Sequence, residues 1–464
     1  MIDRLLIFGA TGDLSARFLL PGVAALMAAG KLPEGFELIG AGRDEWSDQE
    51  FRPWAAEQLS RHGGALPPAA VDAVLASTRY CRADATDRAA VAGLTSGRSP
   101  IAAYLALPPA VFPAAVSALH DAGLPPGSQI ALEKPFGESL QEAVALNALL
   151  AETLPERAVF RVDHFLAKTT VQNIVGTRLA NRLLEPIWNS AHIDEVEIVW
   201  DETVALEGRA GYYDGVGALK DMVQNHLLQL LCLVAMEPPV SASERDLRDR
   251  KVDVLRSVRP LGEEDVPRRT RRARYAAGRF GDRRVTAYRD EPGVDPALGT
   301  ETFAEVELEL ESWRWSGTTF RLRTGKALSR DRAEVAVRFR HVPHLPFDEA
   351  ADPAPNVLRF GLDPETLTLE LTGTGPGPSP GLTPLTLRAG LLPAVLPAYG
   401  RLLLDVLNAD PTLSIRGDEA EESWRIVDPV VAAWSRGLVP LEEYPAGSEG
   451  PPGKSSSSGR SGGR

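Results

Sequence analysis

Leu5-Leu6-Ile7-Phe8-Gly9-Ala10-Thr11-Gly12-Asp13-Leu14-Ser15 decides the reading of the N-terminal part of the chain. Four apolar residues in a row end at a glycine, as a strand buried on both faces does before its turn. Leu14, Phe18, Val23 and Leu26 then recur at roughly helical spacing over 13–29, and Gly30 and Pro33 close the segment. Between strand and helix, Gly9, Thr11, Gly12, Asp13 and Leu14 make a turn whose small residues let the backbone approach a pyrophosphate at the helix N-terminus. A tight strand-to-helix turn with no ligand would use the same glycines, so this motif alone leaves both readings open.

Working outward, further strands are expected at 36–40, at 101–107 before Pro108 and Pro109, and at 130–132 before Glu133 and Lys134. Strands alternating with helical stretches imply a parallel, doubly wound sheet, an α/β Rossmann-type domain over 1–165. The second strand ends in Gly40-Ala41-Gly42-Arg43, where a site for NAD usually carries an acid for the ribose hydroxyls. Arg43 suits the 2′-phosphate of NADP, whereas Asp44, next in line, speaks for NAD.

After a helical stretch at 168–181 the pattern changes. Apolar residues alternate with polar ones at 192–200, 303–310, 318–322, 335–339 and 367–371, the mark of half-buried strands. With helices at 221–236, 398–407 and 419–434, this predicts an α+β domain over 166–445 built on a large antiparallel sheet. Pro364 and the Gly/Pro-rich run 373–384 punctuate it. The cluster Arg268, Arg269, Arg271, Arg272 and Arg274 reads as a solvated connection before the next strand. Residues 446–464, rich in Ser and Gly, read as a disordered tail.

Fifty Lys and Arg against 63 Asp and Glu give a net charge of −13 over 464 residues, which is poor electrostatic support for binding nucleic acid or an anionic membrane. The only cysteines are Cys81 and Cys232, so no disulfide framework is expected, and the N-terminus enters a strand directly without an export leader. Both features predict a cytoplasmic protein. The seven histidines are scattered and neither cysteine belongs to a CxxC pair, so no metal site is expected.

Two polar clusters stand out. In Asp163-His164-Phe165-Leu166-Ala167-Lys168, an imidazole and an ammonium could grip a dianionic phosphate beside an orienting carboxylate. A surface loop with unrelated charges would look similar. Asp221, Gln224, Asn225 and His226 precede the apolar stretch 227–236, and a buried helix rarely carries such groups without partners. A histidine held by a carboxylate can take a proton near neutral pH, and Asp163 is the candidate carboxylate for His226. A satisfied core histidine is the plainer alternative.

These segments, together with Tyr104-Leu105-Ala106-Leu107-Pro108-Pro109, Glu133-Lys134-Pro135-Phe136-Gly137, Gly211-Tyr212-Tyr213-Asp214, Arg323-Thr324-Gly325-Lys326, Tyr399-Gly400-Arg401-Leu402-Leu403-Leu404-Asp405 and Ser423-Trp424-Arg425-Ile426, occur in the order of the glucose-6-phosphate dehydrogenase family, which the chain resembles over nearly all its length. The resemblance implies oxidation of the sugar phosphate at C1 to the 6-phosphogluconolactone, the first step of the pentose phosphate pathway, with NADP as hydride acceptor. It implies His226 as base and Asp163 as its partner, with His164 and Lys168 on the phosphate. Glu202, Asp221 and Lys326 would contact the sugar, Lys134 would lie between sugar and cofactor, and Tyr104 and Arg43 would join the cofactor site. A homodimer or homotetramer is also implied. Phe165 and Ala167 replace a tyrosine and a glycine of the family signature, Asp331 stands where a second cation is usual, with Arg330 or Arg332 as its substitute, and Ser15 replaces an alanine. These departures leave open a different or unphosphorylated sugar, or a weakly active regulatory paralogue.

Overall fold

Leu5, Leu6, Ile7 and Phe8 are all buried, as a four-residue apolar run between two layers of helix requires. They lie in β1 (Arg4–Phe8), the middle of a six-stranded parallel sheet in a computed structural model that describes residues 1–347, 353–375, 381–392 and 394–452. The other strands are β2 (Glu37–Gly42), β3 (Thr78–Arg82), β4 (Ala102–Leu105), β5 (Gln129–Glu133) and β6 (Val159–Val162), in spatial order β3-β2-β1-β4-β5-β6. The order reverses between β1 and β4, which places a crevice at their carboxyl ends, where doubly wound sheets bind ligands. The Rossmann-type expectation holds.

The chain forms two compact units, and their boundaries differ from the expected 1–165 and 166–445. The first comprises Met1–Arg182, Cys232–Arg256 and Leu392–Arg425, and the rest of the chain belongs to the second. Long-range packing recruits the two late segments. Leu20, Val23 and Ala24 of the helix Leu20–Ala28 share one apolar cluster with Tyr399, Leu402, Leu403 and Val406 of the helix Ala398–Leu407. The buried guanidinium of Arg178 donates to the Leu233 and Met236 carbonyls (2.8 and 2.9 Å), and the buried Lys251 ammonium lies 2.8 Å from the Glu419 carboxylate. Each of these contacts fixes a late segment within the unit, because a buried cation must be matched.

The second unit is built on nine strands in the order β16-β15-β14-β13-β7-β12-β11-β8-β17. These are β7 (Ile193–Asp201), β8 (Thr270–Ala276), β11 (Phe303–Leu308), β12 (Thr319–Gly325), β13 (Arg332–Phe339), β14 (Val357–Asp363), β15 (Glu365–Thr374), β16 (Leu382–Gly390) and β17 (Leu441–Pro445), while β9 (Gly278–Phe280) and β10 (Arg283–Val285) form a separate hairpin. The sheet is predominantly antiparallel, as expected, with two parallel pairings within it, β7 with β12 and β8 with β17. Period-two alternation reports burial of one face and carries no strand direction.

Three further expectations change. The arginine run is structured rather than a solvated connection: Arg268 and Arg269 end the short helix Val266–Arg269, and the other three lie in β8, where Arg271 donates to both carboxylate oxygens of Glu442 (2.7 and 2.6 Å) and Arg274 to Glu443 (3.3 Å), both on neighbouring β17. Residues 446–452 are not a loose tail. Gly447 N–H donates to the Ala327 carbonyl (2.8 Å), Ser329 N–H to the Ser448 carbonyl (2.8 Å) and Arg323 to the Glu449 carbonyl (3.0 Å), while Ala446 is buried. The remainder of that tail, 453–464, and 376–380 of the Gly/Pro-rich run lie outside the described residues. Finally, the helices expected at 13–29 and 221–236 each begin with a π-helical segment, Ser15–Leu19 and Leu219–Leu227, a wider turn that tends to mark functional positions. Among the described residues no helix is long and apolar enough to cross a membrane.

Candidate active site

In the first unit, the turn after β1 is built around Gly9. Its φ of +79° suits glycine, and a Cβ there would sit 2.2 Å from the Ala106 carbonyl oxygen, so β1 and β4 can meet at the crevice only with glycine in place. Gly12 N–H and the buried Ser15 hydroxyl both donate to the Gly9 carbonyl (3.0 and 2.9 Å). Ser15 therefore closes the turn rather than blocking it. Thr11 donates its hydroxyl to Asp44 Oδ2 (2.6 Å), and the exposed Asp13 pairs with Arg17 at 3.4 Å. Leu14 is half-buried. With Asp44 engaged by Thr11, the exposed Arg43 is the charge at the end of β2, and the turn, the crevice and this guanidinium together fit an NADP-type dinucleotide.

Across the crevice, β5 ends at Glu133. Tyr104, fully buried on β4, donates its hydroxyl to Glu133 Oε1 (2.5 Å), so Tyr104 bears on the crevice through that carboxylate. Burial drives the Glu133 carboxyl up to about 7, outweighing the hydrogen bonds from Tyr104 and Tyr399 and the charge of Lys134, while Asp163 adds to the rise. Lys134 follows directly, joined to Pro135 by a cis peptide.

After β6 the chain turns tightly. Asp163, buried, accepts the Phe165 N–H at Oδ1 (2.9 Å), and Lys168 N–H donates to the Phe165 carbonyl (3.0 Å). The turn lifts His164 and Lys168 to the wall of an open cleft of ≈ 900 Å³ that Arg17, Phe18 and Tyr399 also line. His164 stacks on Tyr399 with ring centroids 5.5 Å apart and planes 18° from parallel. Phe165 is buried with its ring face under the Lys168 ammonium, 4.7 Å away, so the residue that lacks the family's hydroxyl holds the neighbouring cation in place.

In the second unit, His226, Gln224 and Asn225 are buried on the π-helical segment Leu219–Leu227, which continues as the helix Leu228–Ala235. Asn225 Oδ1 accepts the His226 N–H (2.6 Å) and its amide donates to the Lys220 carbonyl (3.0 Å). Tyr212 donates to Asp221 (3.3 Å). Lys326, after β12, pairs with Glu202, after β7, at 2.6 Å, and Trp200 donates to the other Glu202 oxygen (3.3 Å). The parallel pairing of β7 with β12 sets this contact, because Asp201 and Gly325 are in register. Asp331 anchors the chain after β7, its Oδ1 accepting both the Thr203 N–H (2.7 Å) and the Thr203 hydroxyl (3.0 Å). Of the two expected substitutes for a second cation, Arg332 is held by Glu197 (2.5 Å) and Glu334 (2.7 Å), and Arg330 is exposed, 4.0 Å from Glu449.

The expected site residues thus divide between the units: the nucleotide turn, Arg43, Tyr104, Lys134, Asp163, His164 and Lys168 in the first, Glu202, Asp221, His226 and Lys326 in the second. Sequence reasoning passed over Glu133 and Tyr399. Glu133 could have been flagged as an acid at the carboxyl end of a parallel strand, where such sheets place functional groups.

Comparison with known proteins also divides the chain in two. A family model described as the glucose-6-phosphate dehydrogenase NAD-binding domain matches residues 6–173, and one for the C-terminal domain of that enzyme matches 175–463. The chain is 41% identical over 473 residues to the glucose-6-phosphate 1-dehydrogenase of Treponema pallidum, covering 96% of this chain and 92% of that protein. To the enzyme of Rhizobium meliloti it is 39% identical over 463 residues, with 96% and 94% covered. Among solved structures, the glucose-6-phosphate 1-dehydrogenase of Mycobacterium avium superposes with a TM-score of 0.86 at 35% identity, covering 97% and 95% of the two chains. A glucose-6-phosphate dehydrogenase in complex with its substrate glucose 6-phosphate gives 0.89 at 29% identity, covering 97% and 96%.

Proposed function

The chain belongs to the glucose-6-phosphate dehydrogenase family, and from that membership we propose that it oxidises glucose 6-phosphate at C1 to the 6-phosphogluconolactone, the first step of the pentose phosphate pathway, with NADP as cofactor. The observation that carries the substrate is the pair His164 and Lys168 on the wall of an open cleft, held by Tyr399 and Phe165. An ammonium beside an imidazole suits a phosphate oxygen set.

Each step asks something definite of a side chain. Gly9, Thr11, Gly12, Asp13 and Leu14 bind the pyrophosphate, and Arg43 grips the 2′-phosphate. The nicotinamide, when bound, supplies the hydride acceptor. Lys134 orients the sugar towards it, and Glu202, Asp221 and Lys326 hold the sugar hydroxyls. As the C1 hydride leaves, the C1 hydroxyl loses its proton to an imidazole nitrogen of His226, and Asp163 stabilises the imidazolium that forms. The same reading includes a homodimer or homotetramer in the cytoplasm, supported by the family membership.

Absorbance of the reduced nicotinamide with glucose 6-phosphate and each cofactor tests the activity. His226→Asn should lower kcat by on the order of 100-fold or more while leaving substrate KM nearly intact, because the base acts in the transition state. Fast turnover by this variant would remove His226 from the role.

A further inference from the structure

The segment that presents Asp221 and His226 starts from a loop folded around one buried side chain, Glu301, which precedes β11. Glu301 Oε1 accepts the N–H of Leu219 (3.0 Å), the first residue of the π-helical segment. Its carbonyl accepts the Ala218 N–H (3.1 Å) and the Tyr213 hydroxyl (3.4 Å). Gly217, at φ +74°, closes the loop against it so tightly that a Cβ would lie 2.4 Å from the carboxylate. Next to it, Thr300 Oγ1 accepts the Gly215 N–H (2.9 Å) and donates to Asp214 (2.8 Å). The N–H groups of Gly215, Ala218 and Leu219 are thus fixed by two neighbouring residues, and the Leu219 bond sits on the first turn of the helix, where N–H groups have no partner of their own.

We propose that Glu301 is a positioning residue for proton transfer at His226: its carboxylate, bonded to Leu219 N–H and wrapped by Gly217, sets the register in which the π-helical segment holds Asp221 and His226. The inference rests on the function proposed above. A π-helical segment has a neighbouring register available, one residue tighter, and shifting to it would turn His226 away by about a quarter of a turn. The groups facing the carboxylate are Arg272 from β8, Lys220 from the helix itself and Tyr213 from the helix Ala210–Tyr213. Burial carries the Glu301 carboxyl up to about 7 despite the Leu219 bond and the two cations, so the side chain can act as an acceptor whether or not it is ionised.

Three variants of the full chain test this. Glu301→Gln keeps an acceptor oxygen, Glu301→Ala removes it, and Gly217→Ala leaves Glu301 in place but presses a methyl into it. The readouts are kcat, KM for NADP, the pH–kcat profile and the NMR titration of the His226 imidazole. Glu301→Ala and Gly217→Ala should each lower kcat by about 10-fold or more with KM for NADP nearly unchanged, and each should displace the acidic limb and the imidazole titration together. Glu301→Gln should restore kcat to within about 3-fold of the parent and leave the imidazole where it was. An unmoved imidazole in both Glu301→Ala and Gly217→Ala overturns the inference, and if Glu301→Ala does not fold, Gly217→Ala alone decides it. Glu301→Gln as impaired as Glu301→Ala also overturns it. A parent chain that turns over no glucose 6-phosphate refutes the proposed function instead, while the imidazole titration still judges Glu301.

Discussion

Replacing Glu133 by glutamine should make the protein more stable at pH 8 than its parent, and less so or not at all at pH 5.5. The carboxyl is carried from its ordinary 4.5 to about 7 by burial between two phenols, so the native chain binds this proton more tightly than the unfolded chain does. As pH rises through 4.5 the unfolded chain releases the proton while the native chain keeps it, and native stability falls until the carboxyl ionises in both states near pH 7. The whole interval corresponds to about 3 kcal/mol, and the part between pH 5.5 and 8 to about 2 kcal/mol. Glutamine has no proton to lose and keeps an oxygen for the Tyr104 hydroxyl, so the variant escapes this loss. Asp201, Glu301 and Asp405 are raised as well, but they titrate in both proteins and drop out of the comparison. Thermal melts of parent and variant at both pH values are sufficient. The difference in Tm should move in the variant's favour by roughly 4–8 °C from pH 5.5 to 8, taking 2–4 °C per kcal/mol for a unit of ordinary domain size. A difference that stays flat would show that Glu133 is ionised at both pH values, and the argument from burial would be wrong.

Arg43→Ala should raise KM for NADP far more than KM for NAD, since only NADP carries the dianionic group that the exposed guanidinium can meet; equal changes in steady-state kinetics would remove Arg43 from that role. Ending the chain after Pro445 should give a Tm several degrees below that of a chain ending after Pro452, because Gly447, Ser448 and Glu449 make backbone bonds to Ala327, Ser329 and Arg323. Equal melting of the two truncations would refute the docking of 446–452.

The parallel half of the molecule was legible because its signals are local. An apolar run, a glycine at a forced backbone angle and a helical repeat lie within some twenty-five residues of one another, and β1, its turn and the helix Leu20–Ala28 follow from them. The nine-stranded sheet was half legible. Alternation marked β7, β11, β12, β13 and β15, but their directions depend on connections that alternation does not record. Thr270-Arg271-Arg272-Ala273-Arg274 resembles a solvated turn because its matching charges, Glu442 and Glu443, are far along the chain. The same distance hid the recruitment of 232–256 and 392–425 into the first unit, and with it Tyr399. At the candidate site the chemistry-bearing types were readable one by one, whereas the groups that hold them were not: nothing near Asp331 in sequence announces Thr203, and nothing near Leu219 announces Glu301.

The composition of the first unit from three separated stretches governs how the protein can be made. On a ribosome, the six parallel strands emerge early, yet the helix Ala398–Leu407 that shields Leu20, Val23 and Ala24 is still unsynthesised. At about 5–20 residues per second, the roughly 240 residues between Arg182 and Arg425 take on the order of 12–50 s to appear. For most of that interval the nascent unit carries an uncovered apolar flank, although the carbonyls of Leu233 and Met236 that Arg178 needs emerge within about its first quarter. Synthesis speed and chaperone occupancy over this stretch then bear on the yield of native protein alongside the final fold's stability.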